Sequence, residues 1–244
     1  MKEEVEIAWS LYLSLENTIE RSFEFVYPLI DENKNVVSIP YQQIIFASCS
    51  EINNLLNLLM GKYSRKPEDF KKNASMWNIR LFYRALKDES FNNDIKNEIN
   101  PIGNKKFYKV LESQSLLDQI KNETVFLDYQ LHKIFNDPFK IKPFKEQKNA
   151  EHPSWWNAYN NLKHNKTKNF PEANLENAIC ASSGLLVLIK YIALVLNCSP
   201  ILFSGTKLMH ACKMPRYGAT CTAEDGDSVI SGGTFPKTNL PCDC

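Results

Sequence analysis

Between Glu176 and Lys190 the chain carries no charge at all, and the surrounding stretch from Ala178 to Leu196 is its most apolar segment. A membrane-spanning helix needs ~20 consecutive apolar residues. The uncharged run is shorter than that, so it predicts a core helix over 172–197, hidden among other elements, rather than a span. A helix that is apolar all round must be covered on every side. The remaining chain therefore has to supply partners with matching stripes.

Two such stripes are visible. Val5, Ala8, Tyr12, Leu15, Ile19, Phe23 and Val26 recur at three- and four-residue steps and predict a first helix over 5–27. Pro28 and the polar run 31–35 end it. Ser38 and Pro40 mark a helix start, with proline tolerated in the first turn. Tyr41, Ile45, Ser48, Ile52, Leu55 and Leu59 give the second stripe, over 40–60, which Gly61 closes. The fold class expected is all-α, a helical bundle over 1–197 followed by a loop-rich, cysteine-containing tail over 198–244.

The region 61–154 predicts shorter helices and loops. Pro67 to Leu86 reads as a third helix with Phe70, Trp77, Leu81 and Leu86 inward. Asn92 to Lys106, rich in Asn and Lys, reads as a loop, and Phe107 to Leu111 as a short strand or helical turn. Leu116 to Phe135 is weakly helical. Pro138 and Pro143 bracket an extended connector, and Trp155 to Lys163 is a short helix. Most of the glycine, 8 residues in all, lies after Leu202, where prolines join it and periodicity is lost.

The N-terminus lacks the apolar core and small-residue cleavage pattern of a secretory signal. A cytoplasmic protein with no membrane partner is expected. The 7 cysteines are then read as thiols rather than a disulfide framework. Cys49 and Cys180 sit in apolar helical patterns. His210, Cys212, Cys221, Cys242 and Cys244 in the tail supply soft ligands for a tetrahedral zinc. Their spacing departs from the usual paired CxxC knuckles, so no metal or cofactor is assigned.

Net charge is +1, which excludes a wholesale polyanion coat and leaves only local contact with nucleic acid. One segment has the asymmetry for it. From Lys140 to Phe170 seven lysines face only Glu146 and Glu151, a local balance of +5. Trp155, Trp156 and Tyr159 interleave with Lys163, Lys166 and Lys168. Lysines neutralise phosphates and aromatic faces stack on bases. The same residues also describe a solvated lysine face over an aromatic core, and both readings stay open. Asn160 and His164 are four apart, on one helix face. Histidine can take a proton from a hydroxyl and return one to a leaving oxygen. It can equally brace a helix C-terminus, where positive charge is favoured.

The stretch WWNAYNNLKHNKTKNFPEANLENAICASSGLLVLIKYI resembles the C-terminal half of HEPN-like bacterial helical proteins. SIPYQQIIFASCSEINNLL resembles their second helix, with Glu51 as its acidic residue. The two stretches place the resemblance within residues 1–197 and leave the tail outside it. It implies a four- to five-helix up-and-down bundle, often a dimer. It also implies work on RNA in defence or stress response, as in toxin–antitoxin, abortive-infection and CRISPR systems, with an RNA, a second copy or a protein as partner. Active members are metal-independent ribonucleases whose motif is Arg, a polar residue, three variable residues, then His. Asn160 and His164 fall on the polar and histidine positions. Tyr159 occupies the arginine position, where the positive charge for the scissile phosphate is missing. The resemblance therefore implies either a ribonuclease in which Lys163 or Lys166 stands in, or a bundle that has kept the fold and lost cleavage. A non-catalytic interaction module is the alternative of a different class.

Overall fold

The structure, a computed structural model, describes residues 2–26, 31–63, 65–66, 79–99, 111, 113–127, 139–145, 152–196 and 209–211. The protein is mostly helical and belongs to the all-α class. Helix α1 spans Lys2–Ser22 and buries Val5, Ala8, Trp9, Tyr12, Leu15, Glu16 and Ile19. Glu3 and Glu4 in its first turn and Arg21 in its last complement the helix dipole. It stops before residue 27: Phe23 to Val26 form turns whose N–H groups bond back to residues 20–22, with Phe23 still buried. Helix α2, Ile39–Lys62, is capped by Ser38, whose hydroxyl accepts from the Tyr41 N–H, with Pro40 in the first turn. Its predicted stripe is buried, and Gly61 lies inside the last turn rather than past it.

Helix α8, Leu175–Val195, is the hub. Every residue from Ala181 to Val195 is buried. It packs most extensively on α2, and also on α1 and on α6, Ser154–His164. By length and composition α2 and α8 could each cross a membrane. However, 94% of the apolar window of α8 and 50% of that of α2 are covered by the fold. Each fully buried Leu or Ile side chain here contributes roughly 1.5–3 kcal/mol. The starts of α2 and α8 are stitched together by a Val37–Asn174 bridge, with Ser38 N–H donating to Ala173 O and Leu175 N–H to Val36 O.

The middle of the chain departs from its polar composition. Helix α3 spans Ile79–Lys87, with Leu81 and Leu86 buried as expected; Phe70 and Trp77 lie outside the described residues. Residues 92–98 of the expected loop Asn92–Lys106 lie instead in helix α4, Glu89–Glu98, and residues 100–106 fall outside the described residues. Asp88 caps it by accepting from the Phe91 N–H. Phe91 and Ile95, one turn apart, bury one face. Asn92 is also buried, donating to Leu86 O and Asp88 O and accepting from Leu116 N–H. Its amide thus serves tertiary structure, not a loop. Arg65 reaches Asp94 and Ser90, and Lys62 pairs with Glu98, which ties the end of α2 to α4.

Helix α5 covers Leu116–Asn122 only. The weak helix expected to 135 ends there because Glu123 is extended and its carboxylate is engaged elsewhere. The chain then forms β1, Val125–Leu127. This pairs antiparallel with β2, Phe139–Ile141, in the expected connector, and with β3, Met209–Ala211. The tail thus adds one strand to this three-residue-wide sheet. Cys198, Cys212, Cys221, Cys242 and Cys244 fall outside the described residues.

Candidate nucleic-acid interface

Helix α6 begins after Pro153 and presents Trp155, Trp156, Ala158 and Leu162 to the core. Trp155 is 1% exposed. Its indole N–H donates to Pro143 O at 2.6 Å, and its ring meets Phe144 edge-on at 5.6 Å. On the other side it lies against Gly184 of α8, where a Cβ would come within 3.0 Å of the ring. Glycine is what lets the indole fit. Trp156 is 7% exposed and packs against Trp155 and Tyr159. Base stacking on these two tryptophans, open as an expectation, is corrected: their faces are filled by protein.

Tyr159 is half-buried. Phe46 of α2 meets its ring edge-on at 5.8 Å, Trp156 lies at 5.4 Å, and Lys163 Nζ stands 5.7 Å from its centroid. The aromatic surface left for a base is therefore small, and the cation nearest it is Lys163.

The polar residues group at the C-terminal end of α6. Asn160 is half-buried, whereas Lys163 and His164 are exposed in the last turn, where positive charge meets the helix dipole favourably. No hydrogen bond joins Asn160 to His164. It is Asn161 that is engaged: its amide donates to Glu172 Oε1, and its carbonyl accepts from the Asn169 amide and the Asn165 N–H. The chain then turns through α7, Lys166–Asn169, capped by the Asn165 side chain accepting from Lys168 N–H. Lys166 and Lys168 are exposed on this turn. Among the described residues no carboxylate pairs with Lys163, Lys166 or Lys168.

The basic segment is split by the fold. Lys142 and Lys145 are exposed on either side of Pro143 and Phe144, beside Trp155 at the start of α6. Lys163 lies roughly 12 Å further along the helix at 1.5 Å per residue. The linear excess of lysine thus becomes two cationic ends of one helix. Glu51, the acidic residue of the resemblance, is half-buried on α2 and accepts from the Asn54 amide at 3.3 Å.

A second polar constellation escaped the sequence reading. Lys190, 3% exposed in the C-terminal half of the apolar α8, pairs with Glu123 at 2.8 Å. Tyr191 donates to the other carboxylate oxygen at 2.6 Å. Burial, and then the Glu123 charge, raise the Tyr191 phenol well above its ordinary range. The signal was present: a lysine inside an apolar helix needs a buried partner. The partner's identity, 67 residues away, could not be read from local pattern. With Lys190 shut away from solvent, this cluster is structural, whereas Lys163, Lys166 and Lys168 are exposed. No protein-family model, curated protein or solved structure matches the chain.

Proposed function

We propose that this protein is a HEPN-like RNA-binding protein of bacterial defence or stress response, whose contact surface is the cationic turn from Lys163 to Lys168 and whose cleavage activity is lost. The observation that carries the reading is the joint exposure of Lys163, His164, Lys166 and Lys168 with no carboxylate partner among the described residues. Contact is chiefly to the phosphate backbone, since Trp155 and Trp156 are interior and the Tyr159 ring is largely occupied. Phosphate contacts position a nucleic acid without reading its sequence.

Two observations at the site support the loss of cleavage. A general base must be oriented as well as present. No hydrogen bond links Asn160 to His164, and Tyr159 brings no charge to the position where the resemblance places an arginine. Were the protein an active ribonuclease, His164 would deprotonate a ribose 2′-hydroxyl. That oxygen would attack the adjacent phosphorus and break its bond to the 5′-oxygen, which would take up a proton, leaving a 2′,3′-cyclic phosphate and a 5′-hydroxyl, with Lys163 and Lys166 against the phosphate. The deciding experiment incubates purified protein with total RNA in chelator, beside His164→Ala. We expect intact RNA with both. Cleavage that His164→Ala slows by ~10²–10⁴-fold, the usual worth of general acid–base help, would overturn the loss of catalysis. Tyr159→Arg tests the same point: a gain of cleavage would mark a degenerate ribonuclease.

An interaction module is the second reading, favoured by apolar side chains left in solvent: Phe25 at 87%, Ile7 at 59% and Ile39 at 57% exposure. Light scattering showing a dimer that Phe25→Ser dissolves, together with no RNA binding at low salt, would select it.

A further inference from the structure

The cations from Lys163 to Lys168 sit on a short chain reversal, and one acidic residue fastens its two ends. Glu172 lies in the 3-10 turn Phe170–Glu172, just before α8. Its carboxylate accepts from Asn161 Nδ2 at 2.8 Å, across the whole turn. Its own carbonyl accepts from Asn177 Nδ2 at 2.9 Å, which anchors it to the first turn of α8. Asn174 caps α8 by accepting from the Asn177 N–H and also donates to Pro171 O. Asn169 donates to Asn161 O at 2.8 Å, closing the loop from inside. The reversal is thus clamped between α6 and the buried hub helix by side-chain amides converging on Asn161 and Glu172.

A carboxylate next to a phosphate-binding edge works against binding by charge alone. Its presence here is accounted for by geometry. A charge-assisted hydrogen bond is stronger than a neutral one, and of the two side-chain bonds that span the turn, Asn169 Nδ2 to Asn161 O and Asn161 Nδ2 to Glu172, the second is the charged one. Phosphates along a strand recur at a regular spacing, so lysines on a fixed backbone can meet several at once, whereas lysines on a frayed segment must be ordered on binding.

We propose that Glu172 is a positioning residue: acting through Asn161, it holds the 163–168 segment as one preorganised cationic edge for the backbone of a single-stranded polynucleotide. This rests on the RNA-binding reading above. Glu172 itself touches no ligand.

The test compares wild type, Glu172→Gln and Glu172→Ala in two measurements. The first is binding of a labelled single-stranded RNA across salt concentration; the second is amide hydrogen exchange over 161–169. Glutamine keeps an acceptor for Asn161 and removes the negative charge, so Glu172→Gln should retain the wild-type salt slope and protection and bind at least as tightly. Glu172→Ala should exchange faster over 163–169, and its salt slope should shrink by about 0.7 log units per log salt for each phosphate that the loosened turn leaves unneutralised. Unchanged slope and protection in Glu172→Ala overturn the proposal. Faster exchange with an unchanged slope overturns it too, reducing Glu172 to a fold contact. Wild type that fails to bind RNA at low salt removes the RNA-binding reading and the polynucleotide edge with it. The exchange data still decide whether Glu172 holds the turn.

Discussion

The turn from Lys163 to Lys168 and the Glu123–Lys190–Tyr191 cluster both set lysine charge at a helix, but the first is exposed to water and the second is held by buried protein groups, Glu123 among them. At the turn each ammonium keeps its hydration, so individual residues matter little to folding and their charge stays available to a ligand. In the cluster the ammonium is buried, both oxygens of Glu123 are engaged, and the group is committed to holding the end of α5 against α8. The difference teaches where to look for function: charge that the fold already uses cannot be offered to a partner.

That contrast can be broken most sharply at Lys190. Lys190→Met leaves Glu123 buried without its counter-ion and should destabilise the protein by ~3–5 kcal/mol in denaturant unfolding. Adding Glu123→Leu should recover much of the loss, because the uncompensated charge then disappears. A single variant as stable as wild type would show that water reaches the pair and that the two regions do not differ in kind.

A smaller loss is expected at the contact that makes Trp155 a core residue. Gly184→Ala gains about 1 kcal/mol of helix propensity, but its Cβ would press on the indole at 3.0 Å. Overpacking of this kind costs ~1–3 kcal/mol. The net change should be a modest decrease in melting temperature with RNA binding unaltered. A stabilised variant would mean that Trp155 moves freely, and the indole would again be open to a ligand.

The buried cluster also predicts an alkaline limb. The Tyr191 phenol is raised in the folded protein by burial and by Glu123, while in the unfolded chain it titrates near ~10. Above that pH the unfolded state binds fewer protons than the folded one, so stability falls as pH rises. Its contribution is complete below pH ~10 and is lost progressively above. Tyr12, buried beside Glu16, adds a limb of the same sign. Unfolding followed against pH should therefore decline more gently in Tyr191→Phe than in wild type. Identical limbs would place Tyr191 in contact with solvent.

The smallest effect on folding is expected at the turn. Lys166→Glu with Lys168→Glu should change stability by no more than ~0.5 kcal/mol, as surface substitutions usually do. The same pair should weaken RNA binding for every sequence alike and flatten its salt dependence. A large loss of stability would mean that these lysines belong to the fold after all.

Much of the architecture was legible because helices advertise themselves by period. The stripes of α1 and α2, the Ser38 cap and the extent of α8 were all in the residue order, since a 3.6-residue repeat is a local property. Helix α4 was not. Its polar composition suggested a loop, and only the burial of Phe91 and Ile95 together with the placement of the Asn92 amide turned it into a helix. Tertiary packing overrides weak propensity in this way because the apolar face supplies most of a short helix's stability.

For the candidate interface, the sequence by itself determined which residues are charged and that Asn160 and His164 share a helix face. The tertiary structure alone decided which of them meet water. It took Trp155 and Trp156 inside, separated Lys142 and Lys145 from Lys163, and made Asn161 and Glu172 the clamp across the turn. It also joined Lys190 to Glu123. The physical reason is that charge and periodicity are properties of neighbouring residues, whereas desolvation is set by whatever distant segment comes to lie on top.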